Sequence, residues 1–450
     1  MNYKKIIANI LERVSPQFLK HIEIFSLFLC LFYFIIRFID RFFLSFKGIG
    51  DESVFINELK YFIEYGYSNA VIEGTSIPIM LLSSFIYKFI SDYSLALRIS
   101  SCICTFILVA YLYYRIRFTN KVQIIHLLFL LGTAGAATIR GQNDSIFYMG
   151  MLIFYFEATM STSIKKSNVI LMSFCSAIMI MSRPLVIIYI PIFFVGFLLY
   201  RIIKKEILFN SRNKYVLVSF TMGLIITIVS NFPRINDDSF SMIETKIDEL
   251  PIPFSYSGKT QTKPLLRENT SLTWIEWLYI SQYIGNNDRL GFLHPLMDLD
   301  KAEQYKLNHP EIKIAKTIYE YLTQHKKFIL KRVPVSLVEI SFYSIRSVGF
   351  LFIIIPFIIY YKLKRKTYDE YFLSYLTVLI GAIVFAVLWP TAVRSIHMYP
   401  LYSILVISLL KDEEISFING FKNFIIPTNL TLINTIIIWS MWKEKLFYSI

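Results

Sequence analysis

The side chains able to do chemistry in this chain lie at the ends of its apolar runs. Asp51 and Glu52 follow the first long run, and Asp144 opens a later one within Arg140-Gly-Gln-Asn-Asp-Ser145. A carboxylate in such a place can take the proton from an attacking hydroxyl. Two carboxylates from separate loops can instead hold a divalent cation that neutralises a leaving anion. Arg140, Arg183, Arg346 and Arg394, with His397 and Tyr399, occupy similar positions, and guanidinium groups stabilise a developing phosphate charge. Glu73, between two candidate helices, can contact an acceptor or orient Asp51. Each residue also has a plainer use. Asp51 and Glu52 suit a helix N-terminus, and Asn143-Asp144-Ser145 suits a turn or cap. Glu73 suits an exposed loop, and an interfacial arginine can reach to headgroups.

The elements that must hold these residues are helices. After Asp51, apolar residues recur at Val54, Phe55, Leu59, Phe62 and Ile63, which is helical spacing on one face. Gly66 is placed to end that helix. A second amphipathic run covers Ile77 to Ile90, with Pro78 in its first turn. Both follow a long apolar segment, so both are expected to lie on a membrane surface. Apolar runs near 22–46, 94–114, 122–139, 145–162, 168–181, 185–200, 215–231, 348–361, 371–389, 398–410 and 424–442 read as about eleven spans. Arg37, Asp40 and Arg41 lie in the first. A charge at mid-membrane costs about 2.5–3.5 kcal/mol, so these belong near an interface or a wet cavity. A polar segment over 232–333 interrupts the series, with a helical pattern near its end.

Composition agrees with this plan. Of 450 residues, 55% are hydrophobic and 17% charged, and mean hydropathy is +0.53, the values of an integral membrane protein. The net charge of +14 comes from Lys and Arg in short loops such as Lys362-Leu-Lys-Arg-Lys366. That is the pattern of cytoplasmic loops rather than of a nucleic-acid surface. With the N-terminus cytoplasmic, the loops at Asp51, Arg140, Arg183 and Arg394 and the long polar segment all fall outside. Cys30, Cys102, Cys104 and Cys175 all lie in apolar runs and show no metal-binding spacing. No cleavable signal peptide is evident. Asn143 and Asn269 head glycosylation-type triplets of the sort chance produces.

The order Asp51-Glu52, amphipathic helix, Gly66-Tyr67, Ser76-Ile-Pro78, amphipathic helix, Ala96-Leu-Arg98 resembles the first external loop of GT-C glycosyltransferases. The branch concerned holds the protein O-mannosyltransferase-like and aminoarabinose-transferase-like enzymes. The resemblance is strongest from Gly50 to about Pro184; beyond that it rests on the number of spans and the loop plan. It implies a catalytic acid at Asp51, a second acid at Glu52 and a supporting acid or metal ligand at Asp144. Arg183-Pro184 is similar to an Arg-Pro break in that family, and Arg394-Ser-Ile-His-Met-Tyr399 to a loop that binds donor phosphate. Arg98 matches the family's Ala-Leu-Arg and equally suits an interface anchor.

The fold then expected is an all-α membrane protein of about eleven spans, with two amphipathic surface helices in the first external loop (47–93). Residues 1–231 would form the catalytic module, 232–333 an external segment, and 334–450 the last spans. The resemblance implies an inverting transferase in a bacterial plasma membrane. It would use a polyprenyl-phosphate sugar and a glycan, lipid or protein acceptor, with a divalent cation (Mg or Mn) in some members of the family. Nucleic acid is not expected, and no glycine-rich loop indicates a nucleotide sugar. The rival readings are a polymerase or ligase of lipid-linked surface polysaccharide, and a flippase or transporter. The first lacks an early acidic loop with two surface helices. The second would put ionisable residues at mid-membrane and show internal symmetry.

Overall fold

Apolar periodicity sets the architecture. In a computed structural model of the chain, the described residues are 51–72, 76–116, 143–160, 165–183, 186–205, 211–233, 299–311, 326–348, 351–388 and 398–412, with isolated positions elsewhere. Among them every regular element is a helix: α1 Asp51–Ile72, α2 Ile77–Ile90, α3 Tyr93–Ile116, α4 Asp144–Met160, α5 Lys166–Ser182, α6 Val186–Lys204, α7 Ser211–Ser230, α8 Leu299–Asn308, α9 Lys326–Val348, α10 Ile355–Arg365, α11 Glu370–Leu388 and α12 Tyr399–Lys411. Three stretches, Tyr93–Tyr114, Asn213–Ser230 and Glu370–Val387, are long and apolar enough to cross a membrane. The spans expected near 22–46, 122–139 and 424–442 lie outside the described residues.

Local signals act where expected. Pro78 stands in the first turn of α2, with Ser76 as its cap residue. Gly66 breaks the helix direction with φ 79 and ψ 177, a region essentially closed to residues with a Cβ. Helical turns resume after it to Ile72, so the glycine kinks α1 rather than ending it. Where a span was expected over 348–361, α9 ends at Val348 and the next helix, α10, starts only at Ile355 and runs to Arg365. Pro356, in the first turn of α10, suits a helix start better than a helix interior.

The helices form two linked layers. In one, α3, α4, α5 and α7 pack in series, and α1 and α2 lie against α3; α2 also reaches α5. In the other, α11 packs on α6, α9, α10 and α12, and α12 touches α4. Small residues allow close approach, as in membrane helix pairs. A Cβ on Gly223 of α7 would lie 1.7 Å from Ser176 Oγ and 2.9 Å from the Ser173 carbonyl of α5. Much of α7 faces outward: only 17% of its span is buried, against 56% in α3 and 61% in α11. Its exposed Leu217, Met222, Ile225 and Val229 are natural against lipid and costly against water. Cys102, Cys104 and Cys175 are buried free thiols.

Polar contacts gather at opposite ends of this bundle. One end holds the starts of α1, α3 and α4 and the ends of α5 and α7. At the other, Tyr111 donates to Glu157 at 2.8 Å, and Asn168 donates to the same carboxylate. Lys362, expected among the basic loop residues, is fully buried there. Its ammonium lies 2.7 Å from Asp369 and 2.9 Å from Asp412. The carboxylates come from the residue capping α11 and the residue following α12, so this lysine joins helix ends instead of facing solvent.

Candidate functional site

The first anchor of the site is an ion pair between α1 and α3. Asp92 caps α3 by accepting the Leu95 amide at 2.9 Å. Ser94 and Arg98, four residues apart, then share one helix face. Both reach Glu52. Arg98 donates from Nε to Oε1 at 2.7 Å and from its terminal nitrogen to Oε2 at 2.8 Å, and Ser94 Oγ donates to Oε1 at 2.7 Å. The remaining terminal nitrogen donates to the Phe42 carbonyl at 3.0 Å. With side-chain exposures of 1% and 7%, this is a desolvated, bidentate pair whose donors and acceptors are matched. Glu52, expected among the catalytic acids, has both oxygens committed to holding the first turn of α1. Asp51 is the first residue of that turn; its side chain lies outside what the structure describes.

The second anchor is centred on Asn143, which is fully buried. Its Nδ2 donates to the Ser182 carbonyl at 2.6 Å and lies 3.5 Å from Ser76 Oγ; its Oδ1 accepts from Arg183 Nε at 3.1 Å. Arg183 also meets Asp144 Oδ1 at 2.5 Å. The backbone explains this reach. A residue before proline is pushed out of the helical region, and Arg183, before Pro184, is extended at φ −151 and ψ 133. That ends α5 and turns the guanidinium toward the start of α4. Asp144, as the first residue of α4, also suits the positive end of the helix. The pair is partly open, at 17% and 13% exposure.

A buried acid joins α1 to the start of α2. Glu58 on α1 accepts the Ser76 amide at 3.2 Å through Oε2, and its Oε1 has no partner among the described residues. Burial pushes its carboxyl up to about 8, with the Ser76 hydrogen bond pulling the other way. Beyond the Gly66 kink, the Tyr67 hydroxyl donates to the Ser230 carbonyl at 2.5 Å, tying α1 to the end of α7.

Beneath Asp144, one hydroxyl pair connects the two layers and another braces the second layer. Tyr148, one turn along α4, lies 3.2 Å from Ser403 on α12, and Tyr402 lies 2.6 Å from Ser344 on α9. Tyr399 opens α12, and its ring centroid is 6.0 Å from that of Tyr402. It thus stands in the helix that meets α4. Arg346 belongs to α9, with its side chain outside the described atoms. Glu73, Arg140, Arg394 and His397 lie outside the described residues.

Three contributors were not singled out from the sequence for such roles: Asn143, Ser76 and Glu58. Glu58 did leave a signal. It stands three residues after Phe55 in the Phe55, Leu59, Phe62 stripe, an acid inside an apolar face. Asn143 left none beyond its place beside Asp144. The expected second acid at Glu52 and the supporting acid at Asp144 are both held by arginines. Among the described residues no three side chains of metal-ligating type converge.

Chemically, the arrangement places a carboxylate–guanidinium pair, braced by a buried amide, at the same end of the bundle as the first turn of α1. No family model, no curated protein and no solved structure matches the chain.

Proposed function

We propose that the protein is a multi-pass membrane glycosyltransferase of the GT-C kind. It takes a sugar from a polyprenyl-phosphate carrier at the non-cytoplasmic face and passes it to a cell-envelope glycan or lipid. The observation that carries the reading is the joint anchoring described above. Glu52–Arg98 fastens the helix that Asp51 opens, and Ser76–Asn143 ties the following surface helix to Asp144–Arg183. An acid and a cation are thereby held at one end of an apolar helical bundle, as transfer from a lipid phosphate requires.

In this reading Asp51 takes the proton from the acceptor hydroxyl. The hydroxyl oxygen attacks the anomeric carbon from the face opposite the phosphate. The new C–O bond forms as the bond to the phosphate oxygen breaks, with inversion. The departing phosphate carries its negative charge to Arg183, whose fork is already aimed by Asn143 and Asp144, and to Arg394. Asp144 orients Arg183, and Glu52 positions Asp51. The reading takes about eleven spans and a cytoplasmic N-terminus from the loop charges; what supports its membrane setting is three helices long and apolar enough to cross a bilayer.

The test is sugar transfer from polyprenyl-phosphate donors in membranes, comparing wild type with Asp51→Asn. Loss of at least 100-fold at equal protein level is expected, the scale of a lost general base. Full activity in the variant removes Asp51 from the mechanism; no transfer by wild type from any such donor refutes the proposal.

A further inference from the structure

We propose that Glu58 is a positioning residue for the Asp144–Arg183 pair, acting through Ser76 and Asn143. Its effect on catalysis rests on the transferase reading; its effect on the pair does not. The connection is a short series of contacts. Glu58 holds the Ser76 amide at 3.2 Å, Ser76 Oγ is 3.5 Å from Asn143 Nδ2, and Asn143 Oδ1 accepts from Arg183 at 3.1 Å. Glu58, Ser76 and Asn143 are all buried, at 2%, 1% and 0% exposure. Ser76 is also the cap residue of α2, so moving it moves the start of that helix. Nothing else among the described residues engages Glu58, and Oε1 is left without a partner.

A buried carboxyl with one hydrogen bond and no cation holds its proton. The charged groups on α1 and on the helices packed against it are otherwise disposed. Lys60 is exposed over the Tyr93 ring, and Glu64 is exposed. Lys88 lies in the last turn of α2, away from Ser76. Asp92 caps α3, and Arg98 is taken by Glu52. None of them neutralises Glu58. Once ionised, Glu58 leaves an unpaired buried charge that entering water relieves. That separates α1 from α2 and draws Ser76 away from Asn143. The site therefore loosens as pH rises through about 8.

The sign of the stability effect follows. The folded-state value lies above the ordinary 4.5, so the native state keeps a proton that the unfolded chain has lost. Stability falls as pH rises across that window and levels off above about 8. Thermal melts of the purified full chain, from about pH 5 to pH 9, should show the wild-type Tm declining relative to Glu58→Gln, which has no proton to lose. Parallel curves overturn the proposal whether or not the protein transfers sugar. Adding Asn143→Ala to Glu58→Ala should lower Tm by less than the sum of the two single changes, because both break one network. Strict additivity also overturns it.

In the transfer assay at saturating donor, Glu58→Ala should lower kcat, and Glu58→Gln should rescue it. Wild type should lose rate about tenfold per pH unit above about 8, a limb that Glu58→Gln lacks. The same limb in Glu58→Gln sinks the catalytic consequence. If no protein transfers sugar, the transferase reading fails and the melts alone decide the role of Glu58.

Discussion

Replacing Arg98 by Met tests the site's first anchor. The guanidinium makes two charge-assisted bonds to Glu52, at 2.7 and 2.8 Å, and one to the Phe42 carbonyl at 3.0 Å. Methionine keeps much of the volume and removes all three. Glu52 is then a carboxylate at 7% side-chain exposure with Ser94 as its remaining hydroxyl donor. Breaking a buried pair from one side costs about 3–5 kcal/mol, because the partner's charge stays desolvated. Glu52→Leu should cost a comparable amount by orphaning Arg98. The double change Glu52→Leu/Arg98→Met should cost less than either single change, since no charge is then left unpaired. Equilibrium unfolding in mixed micelles of increasing SDS content measures all three. Two results would refute the reasoning: an Arg98→Met cost below about 0.5 kcal/mol, the level of an ordinary surface change, or a double variant losing the sum of the two. The first would mean that the pair is solvated; the second, that Glu52 and Arg98 act separately. In the transfer assay, the double variant should remain impaired despite its stability, because α1 has lost the contact that sets Asp51.

Further outcomes follow from individual geometries. Arg183→Lys should lower sugar transfer by at least tenfold while Tm changes little, because an ammonium cannot reach Asn143 and Asp144 from one planar fork; equal activity in the lysine variant would show that only charge matters there. Gly66→Ala should destabilise by about 1–3 kcal/mol although no described residue beyond its own turn of chain comes within 4 Å of the added Cβ. The cost is the φ of +79, so an alanine variant with unchanged unfolding would argue against the kink.

The local grammar of the helices was readable. Pro78 at the start of α2, the apolar stripe of α1 and the proline after Arg183 each act on backbone within a few residues, so their effects travel with the sequence. The assignment of charges was not readable in the same way. Lys362 has the neighbours of a basic loop residue, yet the chain buries it between Asp369 and Asp412. Asp51 and Glu52 are adjacent acids with the same local context. Only packing separates them, by turning Glu52 onto Arg98. The start of α10 at Ile355, well inside the span expected from 348, was not readable either, since the apolar stretch begins earlier and hydropathy does not register where a helix resumes.

By itself, then, the sequence determined an all-helical apolar chain, the starts of helices such as α2, and the clustering of acids and arginines at helix ends. Those properties come from backbone sterics and from periodicity, which are local. Tertiary structure decided which charge meets which: Glu52 with Arg98 across 46 residues, and Asn143 with Ser76 across 67 and with Ser182 across 39. Such pairings depend on how much water each group has lost and on what stands opposite it. Both are fixed only when distant helices pack.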